Sequence, residues 1–238
     1  MAIPPATTRP APGSRRICSR VRVVLDWDGT VTETDSLWMT LDAFGDRDVF
    51  RRVEGGLTQG SISFREVMEV EFATVRAPIA EVVAFLVERV RVRPGFGELA
   101  RAHAPLVLSS GFVELIRPVL AREGVELELR ANRIEESDAG WTVRWRDPEP
   151  CPVCGDLCKR RSLPPGPVVF VGDGYSDRCA ALAADRVFAR DGLADWLDGR
   201  GAAYERYDDL YEVAAALARG RARDGGAVEP RSRSTGRK

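Results

Sequence analysis

Three short apolar runs, each followed by turn residues, constrain the fold of this chain more than any other feature. The runs are VRVVLD (21–26), PLVLSSG (105–111) and PVVFVGDG (167–174). Stretches with helical spacing of apolar residues follow the second run, in VELIRPVLARE, and the third run, in DRCAALAAD. Short apolar strands separated by helices are typical of a parallel sheet that helices cover on both faces. The pattern therefore predicts an α/β fold with three layers.

Two insertions interrupt this alternation. Between the first and second runs, apolar residues recur at helical spacing in DSLWMTLDAF, DRDVFRRV, SFREVMEVEFATV and APIAEVVAFLVERV. Ser63 and Glu66 form a capping box at the start of the third stretch. Because a crossover between parallel strands needs only one helix, the four stretches predict a helical-bundle cap over the strand ends. The second insertion, LELRANRIEESDAGWTVRWRD, alternates around an Asp-Ala-Gly turn and predicts a β-hairpin.

The predicted organisation is a Rossmann-like parallel sheet with an inserted helical cap, between two tails. The core is assigned to residues 18–36 and 93–220, and the cap to residues 37–92. Residues 1–17 are rich in Pro, Ala, Thr and Ser, and residues 221–238 are basic and rich in Gly and Ser. Both tails are expected to be disordered because they carry little that could be buried.

The composition limits the classes of partner. The 238 residues include 35 basic and 36 acidic side chains, for a formal net charge of -1. That balance shows no basic excess of the kind that nucleic-acid binding favours. No apolar run is long enough to cross a membrane, and the N-terminal segment has no hydrophobic region of a secretory signal. We therefore expect a cytoplasmic protein with a small-molecule partner, and neither a membrane nor a nucleic acid as partner.

Four aspartates follow two of the predicted strands. Asp26 and Asp28 come at the end of the first, and Asp173 and Asp177 come after the third. The carboxyl ends of parallel strands meet at the edge of the sheet where ligands bind. Carboxylates at such close spacing repel one another unless a cation lies between them. Hard oxygen ligands in this number suit Mg²⁺, which keeps several waters and usually shares a substrate phosphate.

Two further residues indicate what such a metal site binds. Ser109 ends the second predicted strand, and Lys159 is one of only two lysines in the chain. A cation flanked by an ammonium and a hydroxyl makes a pocket for an anion with tetrahedral oxygens. Phosphoryl transfer needs mainly positioning and charge neutralisation. One aspartate can attack phosphorus, and a second can protonate the leaving oxygen and then activate water.

These residues resemble the motifs of the haloacid dehalogenase superfamily. DWDGT is similar to the DxDxT signature of that family, and a Ser after a strand, a Lys and GDGxSD follow in the family's order. The resemblance covers most of the chain between the tails. It implies that Asp26 is the nucleophile and Asp28 the general acid and base. It also implies a phosphatase, because the family's dehalogenases lack the second aspartate.

The same resemblance implies how phosphate and metal are held. Ser109 and Lys159 would bind the phosphoryl oxygens, with Gly111 as a further substrate-binding position. The Mg²⁺ ligands implied by the resemblance are the Asp26 carboxylate, the Asp28 main-chain carbonyl and Asp173, with Asp177 in support.

The helical insertion resembles the cap of the phosphoserine phosphatase branch. That branch has a cap acid nine residues after the nucleophile, a spacing that Asp35 fits, although Asp35 is equally explained as a helix N-cap. The branch also has a cap arginine for the substrate carboxylate, and a rough alignment puts Glu71 there. CPVCGDLCK and FARDGL resemble the methionine-salvage phosphatases acting on 2-hydroxy-3-keto-5-methylthiopentenyl-1-phosphate, and the first also resembles phosphoethanolamine/phosphocholine phosphatases. These features favour a neutral or amine-bearing phosphomonoester over phosphoserine.

Several alternatives stay open at this point. The same aspartyl-phosphate chemistry serves a phosphoserine phosphatase, or a phosphotransferase or mutase with an acceptor other than water. A zinc or nucleic-acid binding module would use the cysteines and the basic tail, but it has no need of the motif set. Cys151, Cys154 and Cys158 offer three ligands where structural zinc wants four. With no fourth ligand nearby in the sequence, packed and reduced thiols are favoured, and the oligomeric state is not specified.

Overall fold

A seven-stranded sheet forms the centre of the structure. The computed structural model describes residues 21–224, except for the side chains of residues 54, 58 and 220–224. The strands are β1 (Arg22–Leu25), β2 (Leu106–Phe112), β3 (Leu129–Glu135), β4 (Thr142–Arg144), β5 (Val168–Gly172), β6 (Arg186–Ala189) and β7 (Glu205–Arg206). Their order is β4-β3-β2-β1-β5-β6-β7, and all neighbours are parallel except β3 and β4. The three predicted strands are confirmed as β2, β1 and β5 in the middle of the sheet.

Helices account for most of the remaining regular structure. They are α1 (Ser36–Phe44), α2 (Arg47–Gln59), α3 (Phe64–Phe72), α4 (Ile79–Arg89), α5 (Phe96–His103), α6 (Val113–Arg122), α7 (Arg178–Ala181), α8 (Asp191–Asp198) and α9 (Leu210–Asp224). Two 3₁₀ turns are also present, at Lys159–Ser162 and Tyr175–Asp177. None of the helices in the described part of the chain is long and apolar enough to span a membrane.

Side chains of β1 alternate between two hydrophobic cores, one on each face of the sheet. Val23 and Leu25 belong to the larger core, which α5, α6 and α9 cover. Val24 points to the opposite face and packs in the smaller core with α7 and α8. Because both faces are buried, the strand is apolar throughout instead of alternating with polar residues. The predicted three-layer α/β fold is confirmed.

The four predicted helices are present as α1 to α4 between β1 and β2, and a fifth helix, α5, follows them before β2. The capping box at the start of α3 is present, with Ser63 and Glu66 each satisfying a backbone N–H of the other. The chain leaves and re-enters the core side by side, where Thr32 and Val92 form an antiparallel bridge. The helices span residues 36–89, while the domain division at residues 37 and 92 stays a prediction.

The predicted hairpin is confirmed as β3 and β4, and it supports the cap. Trp141, directly before β4, is buried and its Nε1 donates to the Ala77 carbonyl at 2.9 Å. The Trp141 ring also stacks on Phe72 of α3, with 6.3 Å between centroids. Gly140 in the turn has φ 116°, and a Cβ there would lie 2.1 Å from the Ala73 carbonyl oxygen. The turn therefore needs glycine in order to approach the end of α3 this closely.

The C-terminal half differs from the sequence expectation in its details. The helix expected over DRCAALAAD is the short α7, because the chain turns through Ala183 and Ala184 into β6. Strands β6 and β7 and helix α8 complete the sheet edge and were not predicted. Helix α9 runs to Asp224 and so includes the first four residues of the predicted basic tail. The rest of that tail and residues 1–17 lie outside the described residues.

Candidate active site

Lys159 and Asp26 form the centre of the site. Asp26 directly follows β1, where its backbone N–H donates to the Val171 carbonyl at 2.9 Å. Lys159 begins the first 3₁₀ turn, and its Nζ donates to Asp26 Oδ1. Both side chains are buried. Burial and the charge of Asp177 raise the pKa of Asp26 well above its usual value, and Lys159 only partly opposes that shift.

Asp177 holds Lys159 from the other side. Asp177 Oδ1 accepts from Lys159 Nζ at 2.6 Å, and Oδ2 accepts from the backbone N–H groups of Asp173 (2.9 Å) and Gly174 (3.0 Å). A Cβ at Gly172 would lie 2.5 Å from Oδ2, so this strand end requires glycine. Burial opposes the charge of Lys159, but the two flanking carboxylates outweigh burial and raise the pKa of the ammonium. The lysine is therefore a fixed cation in the interior.

Asp28 lies beside the entry to the cap. Its Oδ1 accepts from the Ser36 backbone N–H at 2.8 Å and from the Ser36 hydroxyl. Burial and the charge of Asp35 raise the pKa of Asp28 to about 7, although the bonds from Ser36 act in the opposite direction. A carboxyl group that titrates near neutrality can both donate and accept a proton, which suits general acid–base chemistry.

Asp35 both caps a helix and lines the cavity. It is the N-cap of α1, where its Oδ1 accepts from the Trp38 backbone N–H at 2.8 Å. It also lines the cavity over the strand ends. The N-cap explanation of this residue is therefore confirmed, and its contact with substrate stays a prediction.

Ser109 and Gly111 lie at the carboxyl end of β2, on the same side as Asp28. The Ser109 hydroxyl is buried and accepts from the Gly111 backbone N–H at 2.8 Å. A Cβ at Gly111 would lie 3.1 Å from Asp28 Oδ2 and 3.2 Å from Ser109 Oγ. Glycine therefore keeps space open between the hydroxyl and the carboxylate, where an anion could reach both.

Asp173 completes an acidic cluster that fits a divalent cation. One carboxylate oxygen from each of Asp26, Asp173 and Asp177 lies within 4.8 Å of the others. Burial and the charge of Asp177 raise the pKa of Asp173 to about 6. The shift shows that Lys159 alone does not neutralise the negative charge of the three carboxylates. Gly29 has φ 74°, and a Cβ there would lie 2.2 Å from Asp173 Oδ2. The oxygen donors and the glycine next to them suit Mg²⁺.

Two arginines that position the site were missed by the sequence analysis. Arg93 is buried and donates to the carbonyls of Gly29 (2.8 Å) and Thr30 (2.9 Å), which holds the loop that carries the first aspartates. Arg146 donates to the Ser109 carbonyl (2.9 Å) and to the Ser162 hydroxyl (2.8 Å), which joins β2 to the 3₁₀ turn that begins at Lys159. No local pattern marks Arg93, because its acceptor Thr30 lies 63 residues away in the sequence.

A cavity of about 380 Å³ separates these strand ends from the cap. Its floor contains Asp26, Asp28, Ser109, Lys159 and Asp173. Its roof is mostly apolar and comes from the first three helices, through Leu37, Trp38, Leu41, Phe50, Leu57, Phe64, Val67, Met68 and Phe72. Glu71 is the acidic residue of that roof, and it is 4% exposed.

The cap provides no arginine to this cavity within the part of the chain that the structure describes. Arg51 and Arg65 are both exposed, and they pair with Asp48 at 2.8 Å and with Glu69 at 3.0 Å. The position suggested by alignment for a carboxylate-binding arginine is held by the buried Glu71. The roof is therefore apolar and acidic, in contrast to the cationic group that a carboxylate needs.

The structure corrects the expectation that the cysteine trio has no fourth partner. Cys151, Cys154 and Cys158 lie close to Cys179, which belongs to α7. The fourth thiol is 21 residues beyond Cys158 in the sequence, and only the packing of α7 against the turn at Lys159–Ser162 brings it near. The sequence analysis counted ligands by local spacing and therefore did not include it.

Comparison with known proteins agrees with this geometry. The family model of haloacid dehalogenase-like hydrolases matches residues 23–182. The 2-hydroxy-3-keto-5-methylthiopentenyl-1-phosphate phosphatases of Exiguobacterium sibiricum and Bacillus thuringiensis are each 26% identical to this chain, cover 81% and 83% of it, and are themselves covered to 94% and 95%. A solved phosphoserine phosphatase from T. onnurineus has a similar fold, with a TM-score of 0.60 at 20% identity, over 86% of this chain and 97% of that one.

The fold and the site combine aspartates at the ends of parallel strands with a buried lysine from the 3₁₀ turn at Lys159–Ser162. The chain belongs to the haloacid dehalogenase-like hydrolases, as the resemblance in its motifs implied. It is a phosphatase of that family.

Proposed function

We propose that this phosphatase hydrolyses a phosphomonoester of a small cytosolic metabolite through an aspartyl-phosphate on Asp26, with Mg²⁺ bound at the acidic cluster. The observation that carries this proposal is the buried Lys159 on the floor of the cavity, whose Nζ bridges Asp26 and Asp177. A fixed cation at the nucleophile serves to neutralise the incoming phosphoryl group.

Asp26 attacks phosphorus, while Lys159 and Ser109 hold the phosphoryl oxygens. The Gly111 backbone N–H, which now donates to Ser109, lies next to the same space. Because phosphoryl transfer depends on positioning, the buried and hydrogen-bonded setting of these groups supports the assignment.

Asp28 protonates the leaving oxygen and then takes a proton from the water that hydrolyses the aspartyl-phosphate. Its raised pKa supports both steps, because the proton is present at the start and is easily returned. Ser36 keeps the carboxyl group turned toward the cavity through two hydrogen bonds.

The residues that would hold Mg²⁺ are the Asp26 carboxylate, the Asp28 main-chain carbonyl and Asp173. When bound, Mg²⁺ orients the phosphoryl group and reduces its negative charge. Asp177 acts in support, because its two oxygens are already engaged by Lys159 and by backbone N–H groups. Thr30 donates to Asp173 Oδ1 at 2.9 Å and holds that ligand.

The roof of the cavity supports a substrate without a carboxylate. The buried Glu71 offers no positive charge to a carboxylate, and the apolar side chains around it favour an uncharged or amine-bearing group. We therefore propose a methionine-salvage-type keto or enol phosphate, or a phosphoamine, as the substrate. The named relatives act on the first of these, and phosphoserine is the weaker alternative.

A phosphate-release assay over a panel of phosphomonoesters with Mg²⁺ tests this proposal. We expect kcat/KM for phosphoserine to be at least about tenfold lower than for the best neutral or amine-bearing compound, or about 1.4 kcal/mol in barrier. If phosphoserine is the best substrate, the assignment of the cap is wrong. If substrate is consumed without release of free phosphate, the enzyme is a phosphotransferase.

A further inference from the structure

Four thiols from two separate segments converge beside the active site. Cys151, Cys154 and Cys158 come from the loop before the catalytic lysine, and Cys179 comes from α7. Their sulfur atoms all lie within 4.8 Å of one another, and Cys151 and Cys179 are separated by 3.9 Å. None of the four is in a disulfide, whose sulfurs lie about 2.05 Å apart.

A tight turn forms at the first of these cysteines. The Gly155 backbone N–H donates to the Cys151 carbonyl at 2.8 Å, and Gly155 adopts φ 77°, which closes a tight turn. The Cys151 backbone N–H in turn donates to the Asp156 carbonyl at 2.9 Å, so both backbone polar groups of Cys151 are bonded within the loop. The turn therefore holds Cys151 and Cys154 close together, as two ligands of one ion require.

We propose that Cys151, Cys154, Cys158 and Cys179 bind one structural Zn²⁺ ion. Zinc–sulfur bonds of about 2.3 Å in a tetrahedron place the sulfurs about 3.8 Å apart, close to the 3.9 Å separation of Cys151 and Cys179. The C-x₂-C spacing and the complete sulfur ligand set are typical of closed structural zinc sites. An iron–sulfur cluster would hold the thiolates further apart, because inorganic sulfides lie between its irons.

Such an ion would fix the catalytic groups relative to each other. Cys158 immediately precedes Lys159, and Cys179 lies two residues after Asp177. The zinc would therefore tie together the two segments that meet in the 2.6 Å hydrogen bond between Lys159 and Asp177. Because the ion bridges separate segments, its binding free energy contributes to the stability of this part of the fold.

Metal analysis of the full-length protein tests the site independently of its phosphatase activity. The protein is purified under reducing conditions and dialysed into a buffer that contains Mg²⁺ but no transition metal. Mass spectrometry should then find about one zinc ion per chain. Protein produced with Co²⁺ should show thiolate-to-cobalt charge-transfer absorption and the visible bands of tetrahedral cobalt. The cobalt spectrum needs no variant, so it does not depend on whether a substitution impairs folding.

Two cysteine variants sharpen the test. Cys154→Ser changes the exposed ligand and should lower bound zinc at least about fivefold and weaken the cobalt absorption. Cys18→Ser is the matched control, because Cys18 is the one cysteine of the chain outside the proposed ligand set. This variant should keep the full zinc content. Wild-type protein without zinc, whose thiols all react freely or pair as disulfides, would overturn the proposal. Stoichiometric iron in place of zinc would overturn the identity of the metal.

Discussion

The floor and the roof of the active-site cavity are built on different principles. Lys159 on the floor and its partner Asp177 are 1% and 0% exposed, and each makes more than one hydrogen bond to the protein. The roof is a set of apolar side chains from three helices with Glu71 among them. A fixed polar floor suits chemistry that is the same for every phosphomonoester, and a mostly apolar roof suits selection of the leaving group.

The largest expected effect comes from the floor. Asp26→Asn should lower kcat at least about a thousandfold, or about 4 kcal/mol in barrier, because the amide is nearly isosteric but cannot attack phosphorus. The control is Asp195→Asn, a side chain that is 80% exposed and should leave kcat unchanged. If the Asp26 variant keeps more than about a tenth of the wild-type kcat, Asp26 is not the nucleophile.

Removal of the metal should abolish activity and lower the thermal stability of the protein. EDTA should abolish activity and Mg²⁺ should restore it, whereas Ca²⁺ should bind without supporting turnover because of its looser coordination. Mg²⁺ should also raise the melting temperature of wild-type protein, because it neutralises the cluster of Asp26, Asp173 and Asp177. In Asp173→Asn that increase should be much smaller. An equal increase in both proteins would exclude Asp173 as a ligand.

Substitution of the buried cation should reduce stability. Lys159→Met leaves the carboxylates of Asp26 and Asp177 buried without their partner, and we expect a loss of about 3 kcal/mol in the free energy of unfolding at neutral pH. The loss should shrink as the pH falls, because the carboxylates of the variant can then take up protons.

The control for this change is Arg22→Met, which breaks an exposed pair with Glu128 and should cost less than about 1 kcal/mol. Denaturant unfolding measures both variants. Equal losses for the exposed and the buried cation would contradict the description of the floor as a tightly coupled charge network.

A substitution in the roof should change the preference between substrates and not the rate of the chemical step. Glu71→Gln replaces the acid of the roof by an amide that can donate to a carboxylate, so kcat/KM for phosphoserine should rise about five- to tenfold, or about 1 kcal/mol, while a neutral phosphomonoester changes little. Glu69→Gln on the same helix is the matched control, because Glu69 is 41% exposed and pairs with Arg65. A parallel change for both substrates would show that Glu71 acts on the fold and not on selection.

The contrast also explains what the sequence could and could not predict. Asp26, Ser109 and Asp173 end apolar strands, so their convergence follows from the parallel sheet alone. The capping box of α3 is likewise a local pattern, and it is present as predicted.

Features that depend on long-range packing were not predictable in this way. Arg93 reaches carbonyls 63 and 64 residues away, and Cys179 meets thiols of a different segment. The roof could not be predicted for the same reason. The orientation of Glu71 depends on how α3 packs against the hairpin through Trp141. Spacing within one element cannot supply such information.

The most direct test of the account is to trap the covalent intermediate. Wild-type enzyme with Mg²⁺ and its best phosphomonoester is quenched in acid, and peptides are analysed by mass spectrometry for an acyl phosphate. We predict a phosphoryl group on Asp26, with a larger trapped fraction in Asp28→Asn, because water is no longer activated for the second step. Phosphate release without a trappable adduct in either protein, or a phosphoryl group on Ser109, would contradict the account.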